Sequence, residues 1–343
     1  MKNKWIFILL IFVLSACDDL TFRYFTRINS DGTVYKRVVA EGDSSAVYGQ
    51  PFSFDVDDGW TVKYDKKIQA EVGDTLFYAI AERTFASVSE VTECFKIEND
   101  SVFLDNIEVT LESKFLWFFT FYEYKEAFIQ RFPYRHLSID DYLSKEEFAY
   151  VFMDDTKCVE HMTKEEEKVF DNRSEEKFWQ FITNSLAIEF VRLANGYARD
   201  NSLDFLNKKD SIFANEIFSS SIENSPEVND VCLLVDKRKG VTWLSAAFQS
   251  GWFSEFERQI EDEVILIDNS DYSAQLEVPG FIYETNANEL EDNVPKWAFK
   301  RGGFLYKDMV LVTKYRTINY WAFMLVGLLV VLLGLSFFKR PKG

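Results

Sequence analysis

The chain has 343 residues, enough for one large domain or two smaller lobes; 47% are hydrophobic and 27% charged, so most of it must fold around a core. A formal charge of −18 repels phosphate backbones and argues against nucleic acid as a partner. Four cysteines in this length exclude a disulfide-stapled scaffold. Aromatic residues reach 17%, with 34 Phe, which reads as a Phe-rich core or as an apolar groove for lipid or for a partner's hydrophobic segment.

Residues 1–16 have the parts of a secretory signal: Lys2 and Lys4, an apolar run from Trp5 to Leu14, then small residues before Cys17. Leu14-Ser15-Ala16-Cys17 resembles the bacterial lipobox. That resemblance implies cleavage before Cys17, diacylglycerol on its thiol and an acylated amine, so Cys17 is the expected lipid-attachment residue.

Residues 17–130 form the first of two expected β-rich halves. Leu20–Ile28 alternates Phe22, Tyr24 and Ile28 with Thr21, Arg23 and Arg27; the turn Asn29-Ser30-Asp31-Gly32 and the run TVYKRVVAEG follow, predicting a β-hairpin. Further strands are expected over Trp60–Tyr64, Thr75–Ala81, Phe95–Glu98 and Val102–Ile107, with Asn99-Asp100-Ser101 turning between the last two. Val109–Phe128 is too charged at its ends to cross a membrane. Its apolar centre, Phe115–Tyr122, reads as a central strand covered on both faces or as the lining of a lipid-sized groove.

The period turns helical over residues 131–263. Ser144 with Glu147 and Thr163 with Glu166 fit capping boxes, and Phe178, Ile182, Leu186, Phe190, Leu193 and Tyr197 share one helical face near Gly196. Ser225-Pro226-Glu227 opens another helix, and Trp243–Asp262 predicts one more, interrupted by Gly251. Strands return over residues 264–318, at Val264–Asp268, Tyr272–Val278, Phe281–Thr285, Trp297–Phe299 and Leu305–Arg316.

Tyr320–Phe338 then gives 19 residues without a charge, close to the length that crosses the roughly 30 Å hydrocarbon core. Tyr320 and Trp321 suit one interface, and Lys339, Arg340 and Lys342 in the tail 339–343 suit the other. A chain exported by its signal can cross back only outward to inward, so the tail is expected in the cytoplasm and both anchors in the bacterial plasma (inner) membrane, with the main domain extracytoplasmic. The expected fold class is α+β: a β-rich domain formed by N- and C-terminal strand segments, a helical section between them, and one C-terminal transmembrane helix.

Chemistry-bearing constellations are few. His136 sits in an expected loop; Cys158, His161 and Glu165 have a possible ligand spacing but no second Cys or His pair to complete a zinc site. No nucleophile elbow, phosphate-cradling loop or dinucleotide fingerprint is present. Neighbouring acids such as Asp140/Asp141 and Asp154/Asp155 point about 100° apart on a helix and make poor acid–base pairs. No catalytic residue, metal or cofactor is expected.

INSDGTVYKRVVAE near the start and EVPGFIYETNANELEDNVPKWAF near the end together resemble the LppM-type domain of bacterial lipoproteins, which places such a domain between a lipobox and a C-terminal span. Asn29, Asp31, Gly32, Thr33, Val34, Pro279, Gly280, Asn286 and Trp297 carry the resemblance. It implies a β-rich α+β exported domain concerned with envelope lipids or glycolipids, and no catalytic residues; the long helical section departs from the compact family pattern.

The expectation is therefore a non-enzymatic membrane lipoprotein binding an apolar or lipid ligand, or a membrane-protein partner. A groove would be sought first at Phe115, Trp117, Phe119 and Phe121, on one strand face, and next at Trp252 and Phe253. The alternatives are a structural or assembly subunit, whose span carries Gly327 and Gly334 seven residues apart, and an envelope hydrolase.

Overall fold

The structure is a computed structural model describing residues 20–49, 51–56, 59–68, 75–96, 105–153, 156–221, 227–260 and 270–338. Cys17 and the signal, the Asn99-Asp100-Ser101 turn, the strand expected at Val264–Asp268, Ser225-Pro226 and the tail lie outside those residues. The chain is mixed α+β and divides into two compact units: Met1–Ile129 with Ser270–Ala298 and Met309–Gly343, and Gln130–Asn269 with Phe299–Asp308.

The first unit is built on two sheets. The seven-stranded sheet runs β3 (Thr61–Ile68), β4 (Thr75–Phe85), β2 (Val34–Gly42), β1 (Thr21–Ile28), β7 (Asp271–Glu277), β10 (Val294–Lys300), β9 (Glu289–Glu291). The four-stranded sheet runs β5 (Ile107–Leu116), β6 (Phe119–Phe128), β11 (Met309–Ile318), β8 (Phe281–Thr285). β1 and β2 form the expected hairpin, in register from Thr21 opposite Glu41 to Ile28 opposite Val34. Gly32 takes φ +89° in its turn, and the Asp31 carboxylate accepts from the backbone N–H and hydroxyl of Thr33. On its other side β1 pairs in parallel with β7, from Phe22 opposite Tyr272 to Arg27 opposite Glu277.

Alternation sends Phe22, Tyr24, Thr26 and Ile28 of β1, and Val34, Lys36, Val38 and Ala40 of β2, inward. They meet Ile107, Val109, Tyr124, Glu126 and Phe128 of the small sheet; the Tyr24 ring, for example, stands edge-on to Phe128 at 5.4 Å. Two of those inward positions are charged, Lys36 and Glu126.

The first unit also carries two short helices, α1 (Ser44–Tyr48) and α2 (Val88–Phe95); the second unit is helical: α3 (Lys145–Phe152), α4 (Lys164–Asp200), α5 (Lys208–Ser221), α6 (Val228–Lys239), α7 (Trp243–Gln249), α8 (Ser254–Gln259) and α9 (Arg301–Tyr306). Both capping boxes form, Ser144 with Glu147 and Thr163 with Glu166. The predicted face of α4 is buried at Phe178, Ile182, Leu186 and Phe190, while Leu193 and Tyr197 are half-buried. Gly251, at φ +80°, divides the helix expected over Trp243–Asp262 into α7 and α8.

Four expectations change. Phe95 ends a helix, Val88–Phe95, rather than starting a strand; the Ser87 hydroxyl caps it by accepting from Glu90 N–H. Val109–Phe128 is no single central strand: the chain reverses at Trp117-Phe118, between Leu116 and its partner Phe119, with Trp117 at φ +44°. The strand expected at Leu305–Arg316 begins only at Met309, because α9 occupies Arg301–Tyr306 and the Leu305 carbonyl accepts from Arg131 and Phe132 N–H. Finally, among the described residues no helix is long and apolar enough to cross a membrane. The last helix, α10 (Tyr320–Phe338), has 19 residues and no charge.

Candidate functional site

The residues singled out in the sequence separate into three places. Asn29, Gly32, Pro279 and Gly280 meet at one end of the β-rich unit, where they line a cavity of about 320 Å³ together with Ile28, Leu111, Tyr122, Phe281, Tyr315 and Tyr320. That volume lies at the small end of the range of ligand pockets, roughly 300–1,000 Å³. Tyr122 and Tyr315 stack across β6 and β11 at 4.8 Å with planes 9° apart, forming a flat aromatic wall. Gly280 is required by close approach: a Cβ there would stand 2.3 Å from the Arg316 carbonyl oxygen. Its own carbonyl accepts from Asn293 Nδ2 at 2.8 Å, and Asn293 Oδ1 accepts from Ile282 N–H, which fixes the start of β8.

Asn286 and Trp297 do not reach the cavity. Asn286 Oδ1 accepts from Trp297 Nε1 at 2.9 Å and from Val312 N–H at 2.8 Å, while its Nδ2 donates to the Val310 carbonyl. One side chain thus ties β10 to β11. Val34 belongs to the core, and Asp31 and Thr33 to the hairpin turn.

The aromatic candidates do not share a face. Because the chain reverses at Trp117, Phe115 pairs with Thr120 and lies on the side of Tyr122 and Tyr124, whereas Phe119 and Phe121 lie on the opposite side with Leu116 and Lys114. The exposed Phe115 ring stacks on Trp321 at 6.0 Å, and Trp117 stands edge-on to Trp321 at 5.7 Å. Trp252 and Phe253 belong to the helical unit. Trp252 donates to the Leu193 carbonyl and packs against Tyr197; Phe253 is fully buried, stacked on Phe190.

Sequence reasoning missed two buried polar clusters inside the β-rich unit. Lys36 Nζ donates to Glu126 Oε1 at 2.5 Å, and the other carboxylate oxygen accepts from Tyr124 and Thr26 hydroxyls. Burial pushes the Lys36 ammonium down, opposed by Glu126, and burial beside that carboxylate pushes the Tyr124 phenol well up. Nearby, Asp105 accepts from the hydroxyls of Tyr24, Ser53 and Tyr272. The Lys36 side chain is wholly enclosed and that of Glu126 is 3% exposed, so the first cluster ties the sheets together and meets no solute. Strict alternation, which puts Lys36 in phase with Val34 and Val38, is the signal that could have found it.

In the helical unit a cavity of about 410 Å³ is lined by Tyr150, Phe152, Phe178 and Trp179, with Asp171, Glu175 and Lys300 among its polar groups. His136 Nε2 donates to the Glu189 carboxylate at 2.9 Å, and Arg192 grips the same group. Burial alone would raise the Glu189 carboxyl; the hydrogen bonds from Arg192 and His136 outweigh it and hold the group below its usual range. Cys158, His161 and Glu165 do not come together as a metal site: among the described residues no group of three His, Cys, Asp or Glu side chains is placed to hold an ion.

No family model matches the chain, and no curated protein matches it. Among solved structures it is matched to the NMR structure of the folded domain of Mycobacterium tuberculosis LppM, over 88% of this chain and 91% of that one, at 9% identity and a TM-score of 0.30. At that score the two share too little geometry for a ligand or an activity to pass from one to the other.

Proposed function

We propose that the protein is a non-enzymatic, membrane-anchored lipoprotein whose extracytoplasmic β-rich unit binds one apolar or lipid molecule of the envelope. The observation that carries this reading is the cavity of about 320 Å³ at the sheet end. Its walls are Ile28, Leu111, Phe281 and the Tyr122–Tyr315 pair, its rim carries Asn29 and Ser30, and its border includes Tyr320, the first residue of the uncharged α10. An apolar seat with a few rim donors beside a lipid-facing helix suits a chain-like ligand entering from the bilayer. The anchors in this reading are acyl chains on Cys17 and a span begun by α10, which together hold the domain on the outer face of the plasma membrane; a Cys17→Ser variant should lose the acyl mass.

The test is mass spectrometry of lipid retained by the purified full-length protein, compared with Leu111→Trp, which fills the cavity. The reading predicts a defined lipid in the native protein and its loss in the variant, with near-ultraviolet circular dichroism unchanged. Absence of bound lipid, or equal lipid in both, would sink it.

A second reading, a subunit of a membrane complex, is favoured by α10 itself. Nothing packs within 4 Å of where a side chain would begin at Gly327 or Gly334. Crosslinking in cells that finds one constant partner along α10 would support it.

A further inference from the structure

The outer face of the four-stranded sheet changes character in ordered rows towards the β5–β6 turn. Cross-strand pairing sets the rows. Glu112, Glu123, Lys314 and Glu284 are direct neighbours across β5, β6, β11 and β8, a row with three carboxylates. Two residues nearer the turn, Lys114, Phe121, Arg316 and Phe281 form the next row, alternating cation and aromatic ring. Two residues further, Leu116, Phe119 and Ile318 form an apolar row, and beyond it the turn presents Trp117. Successive rows lie about 7 Å apart at the strand rise of about 3.4 Å per residue.

Of these side chains Phe281 is 62% exposed, Leu116 50% and Trp117 47%, while Phe119, Phe121 and Ile318 are half-buried. In a chain of charge −18, the two cations of the middle row make no ion pair with a carboxylate among the described residues; the Arg316 guanidinium instead lies over the Phe119 ring at 5.0 Å. The turn is also fixed to the start of α10. Asn319 Nδ2 donates to the Trp117 carbonyl, Asn319 N–H to the Phe118 carbonyl, and the Thr120 hydroxyl to Asn319 Oδ1, while Phe118 packs on Phe323 at 4.6 Å. The strand–helix junction therefore has no slack, and Trp117 sits level with Tyr320 and Trp321 at the helix start.

We infer that this sheet end is an interfacial membrane anchor: the Trp117 turn and the Leu116–Phe119–Ile318 row enter the headgroup layer beside α10, and Lys114 and Arg316 meet the phosphates of anionic phospholipids. Apolar turn, cation–aromatic row and acidic row then follow the bilayer normal from acyl boundary through phosphate to water, the order in which a membrane interface accepts such groups. A bulky residue held at positive φ at the turn is the backbone condition for presenting the Trp117 indole there. The inference rests on the reading of α10 as the start of a span, but not on lipid in the cavity.

The test places a fluorescent label at Leu116→Cys, at Glu112→Cys on the same face, or at Val330→Cys within α10. Each is made in the full-length protein, with Cys94, Cys158 and Cys232 replaced and Cys17 kept, in vesicles of phosphatidylcholine and phosphatidylglycerol. The expected result is quenching of the Leu116 and Val330 labels by lipid-borne quencher and protection from iodide, with the Glu112 label quenched by iodide. Pure phosphatidylcholine vesicles should weaken the protection at Leu116 and leave Val330 unchanged. Iodide quenching at Leu116 with protection at Val330 overturns the anchor and leaves the span standing; iodide quenching at both overturns the two together. Protection at Leu116 without lipid-borne quenching means that protein covers the turn, and also overturns the inference.

Discussion

The two units supply cations to their buried carboxylates in different ways. In the β-rich unit a complete ion pair, Lys36 with Glu126, lies between the sheets with Tyr124 and Thr26 closing around it. In the helical unit the interior is a chain of rings, with Phe132, Phe178 and Phe181 each packed against Tyr306, and Phe190 against Phe253. Its carboxylates are buried too, but their cations come in from the surface: Glu147, 2% exposed, with half-buried Lys177 and exposed Arg173, and Glu189 with exposed Arg192. A sheet face offers one fixed direction per residue, so a charge in phase with the core must find its counter-charge across the gap. On a helix a long cationic side chain can reach in from the rim, so only the carboxylate need be enclosed.

The sharpest way to break this contrast is Lys36→Met. It leaves the Glu126 carboxylate enclosed without its cation and should cost about 3–5 kcal/mol in denaturant unfolding, whereas Lys36→Met with Glu126→Leu should recover most of that. A single variant near wild type would show that Lys36 and Glu126 are not held as a buried charge pair. Next, Glu147→Gln removes charge from a carboxylate that accepts from Ser144 N–H, Arg173 and Lys177, and should cost about 1–2 kcal/mol.

Acid sharpens the same point. Burial raises the carboxyls of Glu147 and Glu189, but their hydrogen-bonded cations hold both below the ordinary value of 4.5. A folded value below the unfolded one gives stability that is present above 4.5 and is lost as pH falls through the folded value. The urea midpoint of the helical unit should therefore drop as pH is lowered past that window, and Glu147→Gln should flatten the drop. A smaller effect is expected for Ile182→Leu, a volume-conserving change on the buried face of α4, at under about 1.5 kcal/mol. The smallest is none at all: burial pushes the Cys232 thiol up to about 12, so a water-soluble thiol reagent should modify it only as fast as the helical unit opens.

What was legible in the sequence was local. The β1–β2 hairpin announces itself by alternation and by Asn29–Gly32, and both capping boxes by Ser or Thr three residues before Glu. The reversal at Trp117-Phe118 carries no Gly, Asn or Pro, so an apolar run there reads as one strand; what makes it turn is the clasp from Asn319, about 200 residues away. Leu305 and Tyr306 read as strand because they are apolar, yet the rings around Tyr306 make a helix the better use of them. At the candidate site, turn chemistry picks out Gly32 and Gly280 one by one. That they border one cavity follows from strand pairing between distant segments, which no periodicity reports. The proposed anchor shows the same limit, since its rows exist only across four strands.

The parallel pairing of β1 with β7 has a consequence for the order of folding. Arg27 meets Glu277 across 250 residues, and everything in the helical unit up to Asn269 is made between them. A chain emerging from its N-terminus can close β1 on β2 at once, but the other edge of β1 must wait, with its backbone donors and acceptors open. Until β7 arrives, the middle of the finished seven-stranded sheet is its most adhesive edge. The vulnerable moment of this protein's life is thus its own synthesis, and a chain cut short before Asp271 would carry that open edge permanently.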